Sequence, residues 1–225
     1  MLTILKIMNY HNLYKPCEDW ESCTRKGHVF CTDKKLEVFK LSIKNGDIEM
    51  VKCLTKSLHL EYLRRIDALR ESIHTGNIEM VKHLLSPDGG FTLDDVNITG
   101  SPGWSIIHGD IEMVKYLFSS DLTPDGGLTL DDVWDSNIIE TSIEHFETEI
   151  AKFLLSPNLT PKGGFTLDYI RGVDILKLSV EYNNIELIKC LLSPTLTPEG
   201  GLTLDDVQKE VCYNRFTEIK KCLGL

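Results

Sequence analysis

One short pattern returns six times along this chain, and any fold must accommodate all six copies. The segments GDIEMVKCL (46–54), GNIEMVKHLL (76–85), GDIEMVKYLF (109–118), FETEIAKFLL (146–155), NNIELIKCLL (183–192) and FTEIKKCL (216–223) are versions of one helix. Their equivalent positions 48, 78, 111, 148, 185 and 217 are separated by 30, 33, 37, 37 and 32 residues. A period of about 20–50 residues is the mark of an array of like supersecondary units, each covering its neighbour's apolar face.

Within one copy, Ile78, Val81 and Leu85 fall at i, i+3 and i+7, and Met80 and Leu84 add a second row, so the helix presents a broad apolar face. Glu79 and Lys82 lie opposite. The same pair recurs as Glu49/Lys52, Glu112/Lys115, Glu149/Lys152, Glu186/Lys189 and Glu218/Lys221, which reads as a solvated face laced with i, i+3 ion pairs.

A shorter apolar helix precedes most copies, in LEVFKLSIKNG (36–46), IDALRESIHTG (66–76), NIIETSIEHF (137–146) and DILKLSVEYN (174–183). Gly46, Gly76 or Asn183 then marks the turn into the second helix, because glycine and asparagine tolerate the left-handed backbone that ends a helix. Each unit is therefore expected to be an antiparallel helix pair. Proline and paired glycines break the chain between units, in 84–96, 117–133, 154–170 and 191–207, and the first of these linkers lacks the four-residue insertion of the others. After each break a threonine (Thr92, Thr129, Thr203) stands three residues before an aspartate (Asp95, Asp132, Asp206). That spacing predicts a threonine N-cap with acidic residues in a first helical turn, not a long strand.

These residues resemble the ankyrin repeat family. The stretch SIHTGNIEMVKHLL is similar to the family's inner-helix end, glycine turn and outer helix, and the likeness runs over about residues 35–225. The inner helices lack a TPLH start, and the linkers read GGLTLDDV in place of the family's usual finger, so the chain looks like the divergent ankyrin type of large DNA viruses of amoebae. The resemblance implies an all-α, ankyrin-like solenoid of about six helix–turn–helix repeats over 35–225, with residues 1–34 as an N-terminal segment or cap. It also implies protein–protein interaction, with a host protein as the partner in a virus-like setting. Two copies are irregular. Pro102, Gly100 and Gly103 predict a short inner helix starting near Gly103 or Trp104, and the final copy is shortened, as a terminal capping unit requires.

The formal charge of −10 argues against a duplex-binding protein, which needs a basic stripe, and against binding to anionic membranes. No stretch has the roughly 18–20 apolar residues of a spanning helix. Seven unevenly spaced cysteines without a secretory leader point to a reducing compartment, cytoplasm or nucleus, or that of a host cell. No phosphate loop, nucleophile elbow or zincin helix occurs, and no cofactor or catalytic residue is expected. His83 fills a slot held elsewhere by Cys53, Tyr116, Phe153, Cys190 and Cys222, which makes it a packing residue at a helix flank. Cys17, Cys23, His28 and Cys31 are the one set with zinc-ligand chemistry, and they define the alternative reading, a small zinc-binding nucleic-acid module at 17–31 joined to the repeats.

The linker carboxylates supply the candidate binding residues. Asp94/Asp95, Asp131/Asp132 and Asp205/Asp206 recur at equivalent positions, and the second of each pair is expected to cap its helix. The first, Asp94, Asp131 and Asp205, is free to meet a partner with a basic surface. Asp168 and Tyr169 interrupt the paired pattern in the linker 154–170, where partner specificity is expected.

Overall fold

The computed structural model describes residues 29–98, 100–123, 126–133, 137–160, 163–173, 175–197, 199–210 and 213–224. Among them are sixteen helices, and the β contacts there are two isolated bridges, so the chain is all-α. It divides into two compact units, through Phe91 and from Thr92 onward. No helix among the described residues is long and apolar enough to cross a membrane.

The first unit holds α1 (Val29–Lys44), α2 (Ile48–Thr55), α3 (Leu60–Arg65), α4 (Ala68–His74) and α5 (Ile78–Leu84). Helix α1 runs unbroken across position 34. It forms a hairpin with α2, and α4 forms one with α5; α1 then packs on α4, and α2 on α5.

The second unit holds α6 (Leu93–Ile98), α7 (Ser101–Ile107), α8 (Ile111–Leu117), α9 (Leu130–Val133), α10 (Ile138–Glu144), α11 (Thr148–Leu154), α12 (Leu167–Gly172), α13 (Ile175–Glu181), α14 (Ile185–Leu191), α15 (Leu204–Glu210) and α16 (Tyr213–Leu223). Three hairpins, α7–α8, α10–α11 and α13–α14, stand side by side, with α7, α10, α13 and α15 in one row and α8, α11, α14 and α16 in the other. In the shortened last copy, α15 takes the inner position against α13 and leads almost directly into α16.

One turn builds all five hairpins. The N–H of Gly46 donates to Ile43 O and that of Asp47 to Ser42 O, the double backbone bond that closes a helix on a left-handed residue. The same two bonds recur at Gly76 and Asn77, Gly109 and Asp110, Phe146 and Glu147, and Asn183 and Asn184. The residue after the turn then opens the next helix with its side chain: Asp47, Asn77, Asp110 and Asn184 accept from Met50, Met80, Met113 and Leu187 N–H. Glu147 makes no such cap. Ser42, Ser72, Ser105, Ser142 and Ser179, whose carbonyls serve this turn, are each at most 2% exposed, a small buried side chain at the same place in every hairpin.

The core departs from the expected helix face in one respect. Met80, Val81, Leu84 and Leu85 are buried, but Ile78, Ile111 and Ile185 are only half-buried. At 3.6 residues per turn the four buried positions span about 140° of the helix, and the leading isoleucine falls at its margin.

Two further expectations are corrected. Helix α7 is not short: it starts at Ser101 because Gly100 takes φ +63°, as Asp67 and Asn137 take φ +53° and +48° before α4 and α10. Pro102 then sits in the first turn, where no backbone donor is needed. Five of the six outer-helix ion pairs form, at 2.7–3.1 Å, whereas Glu218 pairs with Arg215 at 3.1 Å, since α16 begins a turn earlier than its counterparts and supplies this arginine.

Candidate partner-binding surface

Three of the four linkers, those that lead to Asp131, Asp168 and Asp205, pass through one tight turn, whereas the shorter linker before Asp94 turns on the N–H groups of Gly89 and Gly90, both donating to Ser86 O. The N–H groups of Gly126, Gly163 and Gly200 donate to Thr123, Thr160 and Thr197 O, and each threonine hydroxyl donates back to the glycine carbonyl at 2.7–2.8 Å. These glycines take φ of +106° to +112°, a region closed to other residues, and a Cβ on the following Gly127, Gly164 or Gly201 would come within 2.3 Å of a serine carbonyl. Both glycines of each pair are thus required, for different reasons.

The chain then turns into α6, α9, α12 and α15. Asp95, Asp132 and Asp206 each accept two hydrogen bonds from the threonine three residues earlier, through its N–H and its hydroxyl, at 2.6–3.1 Å. Burial works against the Asp132 carboxylate, but the bonds from Thr129 and from Asn97 prevail and hold its pKa below the usual value. Asp206 is likewise held low, first by the Thr203 N–H, then by its hydroxyl, with Arg171 and Lys209 adding a little.

Asp94, Asp131, Asp168 and Asp205 occupy the preceding position in their helices, and all four are exposed. None has a hydrogen-bond or ion-pair partner among the described residues. Tyr169 stands where the other linkers have the capping aspartate. Its N–H donates to Thr166 Oγ1 at 3.2 Å, and its ring stacks on Phe165 with centroids 4.5 Å apart, so this half-buried side chain lies along its own turn.

Successive turn helices are linked through the capping carboxylates. Asn97 Nδ2 donates to Asp132 Oδ1 at 2.9 Å, and Arg171, the equivalent residue two units on, lies 4.0 Å from Asp206. Arg171, Lys209 and Glu210 also line a polar hollow of about 170 Å³ beside Asp206, below the roughly 300–1,000 Å³ of a small-molecule site.

Among the described residues no group of His, Cys, Asp or Glu is placed to hold a metal ion. Cys17, Cys23 and His28, and the side chain of Cys31, lie outside the described residues. His83 packs at the flank of α5, where Thr55 Oγ1, whose proton goes to Val51 O at 2.6 Å, accepts from its Nε2 at 3.2 Å. Burial, then the nearby Lys52, lowers its pKa.

Two features of the surface escaped the sequence reading. Residues 92–225 carry 22 acidic against 10 basic side chains, whereas residues 1–91 carry 12 acidic against 14 basic, so the acidity belongs wholly to the second unit. That asymmetry was open to a charge count by halves. The second is a set of exposed apolar side chains on the inner-helix row, Trp104, Ile107, Phe146 and Tyr182. Its one visible signal was a phenylalanine where three other copies have glycine.

No family model, curated protein or solved structure matches this chain.

Proposed function

We propose that this protein is a non-catalytic scaffold of the ankyrin type that binds another protein through an acidic face of its second unit. The observation that supports this reading is the row of Asp94, Asp131, Asp168 and Asp205. They recur at one position on successive turn helices, exposed and unpaired among the described residues, while Asp95, Asp132 and Asp206 do the capping. Five glutamates of the outer helices are by contrast neutralised by their own lysines. A line of like charges raises the association rate with a basic partner and discriminates against acidic ones, although each exposed contact adds little affinity.

In this reading the helix pairs stack as a solenoid, and the partner is a protein with a basic surface, a host protein if the chain is viral. The test is charge reversal at Asp94, Asp131 and Asp205 together. Folding should be nearly unaffected, because Asp95, Asp132 and Asp206 keep their roles. Association with a partner captured by the full-length chain should slow, and its salt dependence should weaken. An unchanged association rate at low salt would reduce the four carboxylates to ordinary helix-terminal residues.

A further inference from the structure

Phe146 occupies the turn after α10 with φ +63°, the conformation that Gly46, Gly76 and Gly109 supply elsewhere. A bulky residue rarely holds this backbone, because its Cβ crowds the carbonyl, and such strain persists where the side chain is wanted for something else. Packing is not that something, since Phe146 is 68% exposed. Its ring meets the edge of Tyr182, itself 40% exposed, with centroids 5.3 Å apart.

The pair does not stand alone. Helices α7, α10 and α13 are neighbours, and α7 adds Trp104 and Ile107, both about 40% exposed. Single exposed apolar residues are unremarkable, but aromatic side chains on three adjacent hairpins form the anchor type found at protein interfaces. Glu144 and Glu181, at equivalent positions just before Phe146 and Tyr182, are exposed and have no cationic partner among the described residues. The charge of Arg215, which reaches Asn183 beside Tyr182, is taken by Glu218.

We infer that Phe146 and Tyr182, flanked by Trp104, Ile107, Glu144 and Glu181, form a docking surface for a basic peptide segment carrying a bulky apolar anchor. The inference rests on the protein-binding reading above and gives it a position and a partner chemistry. Charge complementarity selects the occupant: the surface belongs to the unit with 22 acidic and 10 basic residues, and its exposed carboxylates stand beside aromatic faces that also attract Lys and Arg. A second copy of the chain would bring the same carboxylates against themselves.

The experiment uses the full-length chain and three sets of fluorescent synthetic dodecapeptides: Lys/Arg-rich with a central Trp or Leu, the same with serine for the anchor, and the same with glutamate for the cations. The first set should bind at least about tenfold more tightly than either of the others. Phe146→Gly should abolish that preference while leaving the thermal midpoint unchanged or raised, and Tyr182→Ala should weaken it. Glu144→Lys with Glu181→Lys should transfer the preference to the glutamate set.

Equal binding of anchored and serine peptides, undiminished by Phe146→Gly, would overturn this surface yet leave the carboxylate row standing if charge reversal at Asp94, Asp131 and Asp205 still slowed association. Binding by none of the sets would overturn the proposed occupant. So would sedimentation of the unliganded chain as a dimer that Phe146→Gly dissociates.

Discussion

Asn97 donates its side-chain N–H to the Asp132 carboxylate at 2.9 Å, which ties one turn helix to the next through the very group that caps it. Asp132 therefore holds two roles at once, as acceptor for Thr129 within its own turn and as acceptor for a residue 35 positions earlier in the chain. Asp132→Ala should cost about 1–2 kcal/mol, the range for a lost cap, and more than the same change at the unbridged Asp131. Urea unfolding of the two variants checks this; equal losses would mean that the cap and the bridge contribute nothing.

The lowered pKa values of Asp132 and Asp206 set a pH dependence. Both carboxylates bind protons more readily in the unfolded chain, so their contribution is fully present above the unfolded pKa, near 3.9, and is lost as pH falls through the lower folded values. Stability should drop on going from pH 5 to pH 2.5, and Asp132→Asn with Asp206→Asn should show a smaller drop. Parallel pH profiles for the two proteins would contradict this.

His83 sets a second window in the opposite chemical sense. Its pKa is lowered by burial, so the neutral ring is favoured in the fold, and its contribution is complete above the unfolded value near 6.5 and declines as pH falls through the lower folded value. His83→Gln should flatten the stability profile just below pH 6.5. Thermal midpoints measured at intervals between pH 7.5 and 5 would show the difference.

Leu191 is fully buried at the end of α14, and Ile185, the first residue of the same helix, is half-buried. Leu191→Ala should cost about 2–5 kcal/mol, and Ile185→Ala distinctly less. A reversed order in chemical denaturation would place the core on the other face of this helix.

Ser142 is fully buried and donates its hydroxyl to Ile139 O at 2.6 Å. Ser142→Ala should cost about 1 kcal/mol for the lost bond, whereas Ser142→Leu should cost about 1–3 kcal/mol or more, because the added carbons have no space between the packed helices. Calorimetry on both variants separates the size requirement from the hydrogen bond.

Much of this molecule was legible in the residues. The 3.6-residue pattern in IEMVKHLL, the glycine turns and the Thr–x–x–Asp spacing are local signals, and a helix, a helix end and an N-cap are decided within one or two turns of chain. The structure accordingly has the hairpins and the turn helices at the expected places. Local reading also erred where its rules were incomplete: Pro102 suggested a late start for α7, but a proline in a first helical turn forfeits no hydrogen bond, and Gly100 supplies the left-handed step that starts the helix.

What only the tertiary structure decided concerns residues far apart in sequence. Equivalence of Asp94, Asp131, Asp168 and Asp205 followed from the repeat, but their exposure, and the capture of Asp132 by Asn97, depend on how successive units pack. In the sequence Phe146 is set apart only by standing where Gly46, Gly76 and Gly109 stand in other copies. Its exposure and its contact with Tyr182 emerge because the turn's backbone bonds force a left-handed φ whatever side chain is present, and the next hairpin then brings the tyrosine to the ring. Backbone geometry is thus set by local hydrogen bonding, while the company each side chain keeps is set by packing between units, which no single copy of the repeat contains.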